Sequence, residues 1–278
     1  MRVVNERILT PLPIFPMFLR ILFVFVCVAF LAVARGNASD DTFTNTLGMT
    51  FHRVPGTQTL LCLWPTRIQD YRVFVRATGR HWPDAGFPQG DTHPAVCVTW
   101  EDAKAFANWL TQKEQAEGKL PPTWKYRLPL ETEWNIAIGL PATSSGEETA
   151  TQIFPWGTQW PPPPNAGNYS PDLQVDSFPR TSPVASFKSN ALGFYDMGGN
   201  VWQWCEDYFD RSADYRVLRG ASWRMRDPDD LLSSKRIGNK PDTCLTVYGF
   251  RVAIERPAPP PEPVVSTPST NSAPASKP

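Results

Sequence analysis

Three short stretches in the second half of the chain combine glycine with large aromatic residues, and they restrict the fold more than any other feature. They cover residues 193–204 (GFYDMGGNVWQW), 219–223 (RGASW) and 248–252 (YGFRV). Glycine allows tight turns and close backbone approach, whereas tryptophan and phenylalanine provide large, rigid packing surfaces. The pattern therefore predicts irregular backbone packed on aromatic rings, rather than a helix or an alternating strand.

Length and charge narrow the class of protein. The chain has 278 residues, enough for one sizeable domain with additional tails. Its 27 basic and 27 acidic residues form no run of like charge, which argues against a nucleic-acid partner because such surfaces are strongly basic. The 30 prolines and 11 tryptophans favour a domain that is rich in loops and stabilised by aromatic packing.

The first 38 residues are typical of a targeting segment. Three arginines precede an uninterrupted apolar run over residues 21–34, which is short for a membrane span and suits a signal peptide. An uncleaved membrane anchor stays open, because apolar residues extend back to Leu12. Either interpretation of residues 1–38 predicts an exported protein, periplasmic, secreted or anchored outside the cytoplasm, whose only membrane contact is this segment.

The rest of the chain divides into a folded part and a tail. Residues 257–278 are mainly Pro, Ala, Ser and Thr, which predicts a disordered tail because such a segment buries little apolar surface. The folded domain is predicted at residues 43–256, with little regular structure of the α+β type. Helices are predicted from a Thr66 cap to Gly79, from a Thr99 cap to Gly118 and over 131–138, and strands over 51–54, 96–99 and 250–254.

Four cysteines follow the targeting segment: Cys62, Cys97, Cys205 and Cys244. An even number in an exported chain permits up to two disulfides, but four cysteines allow three pairings. Cys62 and Cys97 each lie in a short apolar run, which is compatible with buried thiols or with a bridge between the two. The pairing stays open at this level.

Eight ordered blocks carry a resemblance to a known family. The five that precede the glycine and tryptophan stretches are residues 45–51 (NTLGMTF), 66–74, 93–100 (HPAVCVTW), 127–134 (RLPLETEW) and 154–157 (FPWG). In this order they resemble the formylglycine-generating enzymes, also called sulfatase-modifying factors. The resemblance implies a variant of the C-type lectin fold, α+β with low regular content, that calcium stabilises.

The resemblance also implies two calcium sites. Calcium binds about six to eight oxygens from carboxylates, amides and carbonyls, although Asn and Asp also serve as ordinary turn residues. Family members have Glu where this chain has Gln203, and because a neutral amide attracts calcium less than a carboxylate does, the second site is the weaker prediction. The first set is Asn168, Asp176 and the carbonyl of Phe178, and the second is Gly199, Asn200 and Gln203.

The copper chemistry of the family is not predicted here. The family's enzyme oxidises a sulfatase cysteine to formylglycine with oxygen and a Cu(I) ion held by two cysteines, because soft Cu(I) prefers thiolates. At the two matching positions after Trp223 this chain has Met225 and Asp230. We therefore predict no copper site and no catalytic residue. The alternative is an oxidase, or another metal-dependent oxidoreductase, that uses Met225, Asp230 or Cys244.

Other constellations favour structural roles. Some relatives are iron enzymes, but His52, His81 and His93 lack the paired spacing of iron ligands, and surface roles are predicted for them. Arg127 and Arg251 are expected to join loops through carboxylates. First-turn helix roles are predicted for Glu131 and Glu133.

The leading hypothesis is a cell-envelope protein whose domain has lost the family's oxidase chemistry, a pseudoenzyme that acts as a binding or interaction module. Trp156, Ser222 and Trp223 are predicted to line a groove for an extended peptide or an envelope protein. Trp202 and Trp204 are expected in the core. Sugar binding is a weaker alternative, because the calcium motifs of sugar-binding lectins, Glu-Pro-Asn and Gln-Pro-Asp, do not occur.

Overall fold

A computed structural model describes residues 41–143 and 152–257. The predicted targeting segment 1–38 and all but the first residue of the predicted tail 257–278 lie outside these ranges. Within them, no helix combines the length and the apolar character that a membrane crossing requires. In chain order the elements are β1 (Thr42–Thr44), β2 (Thr50–Arg53), β3 (Leu60–Cys62), α1 (Ile68–Thr78), α2 (Trp100–Ala116), β4 (Lys125–Arg127), α3 (Glu131–Ile138), β5 (Trp202–Tyr208), β6 (Arg216–Arg219), β7 (Arg236–Asn239), β8 (Tyr248–Phe250) and β9 (Ala253–Glu255).

The strands form two sheets that the last stretch of the domain connects. One sheet is antiparallel with strand order β1-β2-β3-β9-β4, and the other has the order β7-β6-β5-β8, in which β5 and β8 run parallel. The chain leaves the second sheet after Phe250 and enters the first at Ala253. The single strand predicted over 250–254 is therefore wrong, because Arg251 and Val252 form the passage between the sheets.

The three predicted helices are present, and their first residues show how they begin. Thr99 caps α2 as predicted, since its side chain accepts a hydrogen bond from the N–H of Asp102 at 3.0 Å. The predicted Thr66 cap of α1 is wrong. The capping residue is Arg67, whose N–H donates to the Asp70 carboxylate at 3.0 Å.

The segment before α2 is a loop, although its apolar residues predict a strand over 96–99. Cys97 has a left-handed φ of 55°, which interrupts an extended strand. Its N–H donates to the carbonyl of Leu245 at 3.1 Å, outside either sheet. The apolar run is buried because it packs between loops.

The core lies on both faces of β5. Trp202 and Trp204 pack in a large aromatic cluster with residues of α1, α2 and both sheets, whereas Cys205 belongs to a second cluster with Trp134 of α3. Successive side chains of a strand point to opposite faces, so β5 separates the two clusters and is buried on both sides. The prediction that Trp202 and Trp204 are core residues is confirmed.

Candidate functional site

The glycine and tryptophan stretches meet at one turn, residues 198–200. Gly199 has a φ of 82°, and a Cβ atom there would lie 2.5 Å from the carbonyl oxygen of Asn168. Its N–H donates to the carbonyl of Gly220 at 2.6 Å. Only glycine tolerates both the left-handed backbone and this close approach, and the predicted pattern of tight turns packed on aromatic rings is confirmed.

Asn200 joins three loops at the same point. Its N–H donates to the carbonyl of Asn168 at 2.8 Å, and its own carbonyl accepts from the N–H of Trp223 at 3.0 Å. Its side-chain oxygen accepts from the N–H of Ser182 at 3.2 Å, while its amide donates to the Ser182 carbonyl at 3.2 Å. The side chain is fully buried and satisfied by the backbone.

The residues of the first predicted calcium site lie next to this turn. Asn168 is buried, its amide donates to the carbonyl of Arg180 at 2.8 Å, and its side-chain oxygen has no hydrogen-bond partner among the described residues. Asp176 accepts from the N–H of Tyr169 at 3.1 Å and from the N–H of Phe178 at 2.8 Å. These bonds orient the carboxylate and leave lone pairs free.

This donor set fits a calcium ion. A buried amide oxygen without a partner is costly, and a bound cation would satisfy it. The Asn168 side-chain oxygen, the Asp176 carboxylate and the Phe178 carbonyl are the hard oxygen ligands that calcium prefers. When bound, the ion would supply structural cross-linking of the loops that carry these residues.

The donor set of the second predicted calcium site does not fit. The side-chain oxygen of Gln203 accepts a hydrogen bond from Nε of Arg251 at 2.7 Å. A guanidinium at this distance repels a cation. The side-chain oxygen of Asn200 already accepts a hydrogen bond from the N–H of Ser182. The polar groups around Gly199 are therefore engaged in hydrogen bonds within the protein.

The prediction that Arg251 joins loops through carboxylates is wrong. Within the part of the chain that the structure describes, its guanidinium bonds no carboxylate. Besides Gln203 it donates only to backbone carbonyls, at distances of 2.7–3.2 Å, and the side chain is fully buried. Burial lowers its pKa to about 10, which keeps it charged at neutral pH. The four carbonyls belong to Cys62, Leu63, Tyr195 and Asp196.

The predictions for Arg127 and Glu131 are confirmed in part. Arg127 bonds carboxylates as predicted, Glu133 at 2.6 Å and Glu255 at 2.9 Å, but it joins β4 to α3 and β9 and not one loop to another. Glu131 lies in the first turn of α3 but also bonds the buried Arg219 at 2.8 Å. A first-turn acid therefore also balances a buried charge in β6.

Met225 and Asp230, at the positions of the family's copper cysteines, have ordinary structural contacts. Met225 is partly buried against the main aromatic cluster, and its carbonyl accepts from the N–H of Ser170 at 3.0 Å. Asp230 ends a short 3-10 helix and pairs with Lys235 at 3.0 Å. Cys244 packs instead beside Cys97 in a different cluster. Among residues 41–143 and 152–257, no three His, Cys, Asp or Glu side chains form a metal-binding group.

The three histidines are separated. His52 lies in β2, His81 is exposed in a loop, and His93 bonds the hydroxyl of Thr181 at 3.0 Å. His93 differs from the predicted surface role because it is half-buried, and burial lowers its pKa. This side chain connects the block before α2 with the loop that follows Phe178.

Trp156, Ser222 and Trp223 do not line one groove. Ser222 is 0% and Trp223 9% exposed, and neither lines the cavities that the structure contains around Trp156, Trp82 and His52. Trp223 packs edge-on against Phe87, with ring centroids 6.0 Å apart. Its role in the described part of the chain is packing between loops.

Trp156 lines the largest of these cavities, about 490 Å³ in volume. Its ring stacks on Phe154 with centroids 4.9 Å apart and meets the edge of Tyr169 at 5.3 Å. These contacts hold the indole rigidly at the cavity wall. The wall also includes polar and charged residues that the sequence patterns did not single out: Asn165, Lys188, Asn190 and Asp196.

Asp196 is the acidic group of this cavity. Burial raises the pKa of its carboxyl, and the hydrogen bond that it accepts from the N–H of Ala185 at 2.7 Å acts in the opposite direction. The residue has a left-handed φ of 49° in the turn before Gly198. In the sequence, only Trp156 and the glycine-rich stretch that contains Asp196 pointed to this wall.

Comparison with known proteins supports one family. Residues 33–256 match the model of the sulfatase-modifying factor enzyme 1-like domain. A formylglycine-generating enzyme of Thermomonospora curvata is 30% identical over 73% of this chain and 70% of its own length. A protein of Bos taurus named inactive C-alpha-formylglycine-generating enzyme 2 is 34% identical over 65% of this chain and 56% of its own.

Two further proteins show how far the similarity of sequence and of fold extends. A Chlamydia caviae protein named serine/threonine-protein kinase pkn1 is 34% identical over 67% of this chain, which spans only 27% of that relative. The solved structure of PvdO from Pseudomonas aeruginosa aligns with a TM-score of 0.55 at 23% identity, covering 76% of this chain and 82% of that one. At this identity the structural likeness shows the fold alone. Together with the family match over residues 33–256, it confirms the predicted α+β fold of the formylglycine-generating enzymes.

Proposed function

We propose that this chain, which belongs to the sulfatase-modifying factor enzyme 1-like family, is a binding or interaction module without copper-dependent oxidase chemistry. The observation that carries the proposal is the pair Met225 and Asp230 at the positions of the family's copper ligands. A thioether cannot ionise, and the Asp230 carboxylate is paired with Lys235. In the family two thiolates hold the soft Cu(I) ion, and one thioether beside a carboxylate already paired with a lysine is a poor replacement for them.

The cavity at Trp156 is the binding site that we propose. A rigid, half-exposed indole provides apolar contact area, and the nearby amides of Asn165 and Asn190 provide hydrogen-bonding groups. Lys188 and Asp196 add one charge of each sign. This mixture suits a segment of extended polypeptide, whose backbone and side chains offer both kinds of contact.

We further propose that the partner is an envelope protein or peptide. The targeting pattern of residues 1–38 supports export. The relative from Bos taurus is named inactive, which is compatible with a family member that has kept the fold and lost the reaction.

An activity assay tests the loss of oxidase chemistry. Purified protein incubated with a Cys-x-Pro-x-Arg peptide, oxygen and Cu(I) is expected to leave the peptide mass unchanged, because no thiolate pair holds the ion. Mass spectrometry of the peptide gives the result, with an active formylglycine-generating enzyme as the positive control. Aldehyde formation would overturn the proposal and establish the oxidase alternative.

A matched pair of variants tests the binding site. We expect linear peptides selected from a random library on the full chain to bind Trp156→Ala at least about tenfold more weakly, since aromatic anchors dominate such interfaces. The control is Leu245→Ala, an exposed residue that does not line the cavity. Equal loss in both variants, or no selectable peptide, would count against this cavity as the site.

Calcium removal tests the first metal site. We propose that Asn168, Asp176 and the Phe178 carbonyl hold one structural calcium ion. Chelation should lower the midpoint of thermal unfolding by several degrees, since a ligand bound only to the folded state stabilises it. Asp176→Asn should reduce that response, whereas Asp172→Asn, an exposed acid paired with Arg226, should leave it intact. An unchanged midpoint together with no calcium in elemental analysis would exclude the site.

A further inference from the structure

Cys97 and Cys244 lie side by side in a small apolar cluster, away from the cavity at Trp156. The cluster contains Val96, Cys97 and Val201, with Phe87 and Cys244 packed against it. The N–H of Cys97 donates to the carbonyl of Leu245 at 3.1 Å. Each thiol is close enough to the other to influence its pKa.

The other two cysteines lie in different parts of the core. Cys62 is in β3 and packs in the main aromatic cluster, and Cys205 is in β5 and packs in the second cluster. Both are fully buried. The structure therefore favours a single bridge, Cys97 with Cys244, and leaves Cys62 and Cys205 as thiols.

We infer that Cys97 and Cys244 form a reversible disulfide that joins the loop before α2 to the loop before β8. The backbone hydrogen bond from Cys97 to Leu245, the residue after Cys244, brings the two segments side by side. A disulfide spans Cα separations of about 4.4–6.8 Å. The segments are thus positioned for the bond, with Cys244 half-buried and open to a reagent.

The surroundings favour a neutral covalent bridge over a metal ion. Burial raises the pKa of Cys97 to about 12, and it also raises the pKa of Cys244. Thiolates that would hold a soft cation are therefore disfavoured here. A disulfide carries no charge and matches the apolar side chains of Val96, Val201 and Phe87.

The bond forms by exchange with a small-molecule disulfide. The more accessible Cys244 thiol loses its proton to solvent, and the transient thiolate attacks that disulfide, forming a mixed disulfide and releasing one small thiol. Cys97 then attacks the sulfur of Cys244 and releases the second small thiol. Two protein S–H groups lose their protons and one protein S–S bond forms, while the reagent's S–S bond is reduced to two thiols.

The bridge would hold the loops around Trp223. Phe87 belongs to the same cluster and packs edge-on against Trp223. The indole N–H of Trp223 donates to the carbonyl of Thr246 at 3.4 Å, two residues after Cys244. Oxidation is expected to tie these segments together, whether or not the chain has the binding function proposed above.

Peptide mapping of the full chain tests the inference. Cys97 and Cys244 fall in separate tryptic peptides, residues 81–104 and 237–251. After reduction, incubation of the folded protein with oxidised glutathione and alkylation of the remaining thiols, we expect these peptides cross-linked to each other. The thermal midpoint should rise on the order of 5–10 °C and return on reduction, because the bridge closes a loop of roughly 150 residues.

Variants separate this bond from other changes. Cys97→Ser and Cys244→Ser should each abolish the cross-link and the shift, whereas Cys62→Ser should retain the cross-link. The map of the unmodified chain decides the question even if a variant does not fold. Separately alkylated Cys97 and Cys244, stable glutathione adducts, or a cross-link from Cys97 to Cys62 or Cys205 would each overturn the inference.

Discussion

Replacing Arg251 with methionine is expected to lower the free energy of unfolding by at least about 3 kcal/mol, because the change leaves buried acceptors without a donor. The guanidinium donates to Gln203 and to four backbone carbonyls in two segments far apart in the chain, 62–63 and 195–196. Arg251→Lys should also destabilise strongly, since an ammonium group has three donors and lacks the planar fork. Equilibrium unfolding in denaturant measures both effects.

Arg226→Met is the matched control. Arg226 pairs with Asp172 at 2.6 Å, but both side chains are 63% exposed. Exposed pairs contribute little, so we expect a change within about 0.5 kcal/mol. Similar losses for Arg251 and Arg226 would show that the buried network does not carry the stability assigned to it.

Trp204→Ala should destabilise the domain by about 3–5 kcal/mol, the range for removing a large buried aromatic side chain. Trp204 is fully buried, meets the edge of Tyr248 at 5.4 Å, and donates its indole N–H to the carbonyl of Val98 at 2.9 Å. The variant creates a cavity between the helices and the second sheet. Denaturant unfolding followed by circular dichroism measures the effect.

Trp160→Ala is the matched control, because it removes a tryptophan side chain from the surface and not from the core. Trp160 is 41% exposed and packs on Phe154 with ring centroids 5.6 Å apart. A loss of no more than about 1 kcal/mol is expected, because little apolar area returns to water. If Trp204→Ala were as mild as this control, the stretch around Trp204 would not be the core that its burial indicates.

Much of the fold follows from local patterns. The Thr99 cap and the span of α3 depend on residues within one helical turn, and both are confirmed. Gly199 belongs to a turn that only glycine can form at that contact distance. The two wrongly predicted strands depend on segments that are distant in the chain. The strand over 250–254 is interrupted at Arg251 because the chain changes sheets there. The strand over 96–99 is interrupted at Cys97, which has a left-handed φ and bonds to Leu245.

For the candidate site too, some features follow from the sequence and others appear only in the folded chain. The resemblance points to Asn168 and Asp176 as calcium ligands, but the unpartnered oxygen of Asn168 is visible only in the folded chain. Ser222 and Trp223 were expected at a groove and are buried instead. Nothing in the residues nearest to them in the chain signals which loops cover them.

By itself the sequence determined the family, the positions of the tight turns and the chemical types at Met225 and Asp230, because each depends on residue identity and short spacing. The tertiary structure decided the partners of Arg251, the cavity at Trp156 and the cysteine neighbours. Each of these joins segments far apart in the chain. Their contact depends on how loops between two sheets pack, and short-range spacing carries no information about that packing.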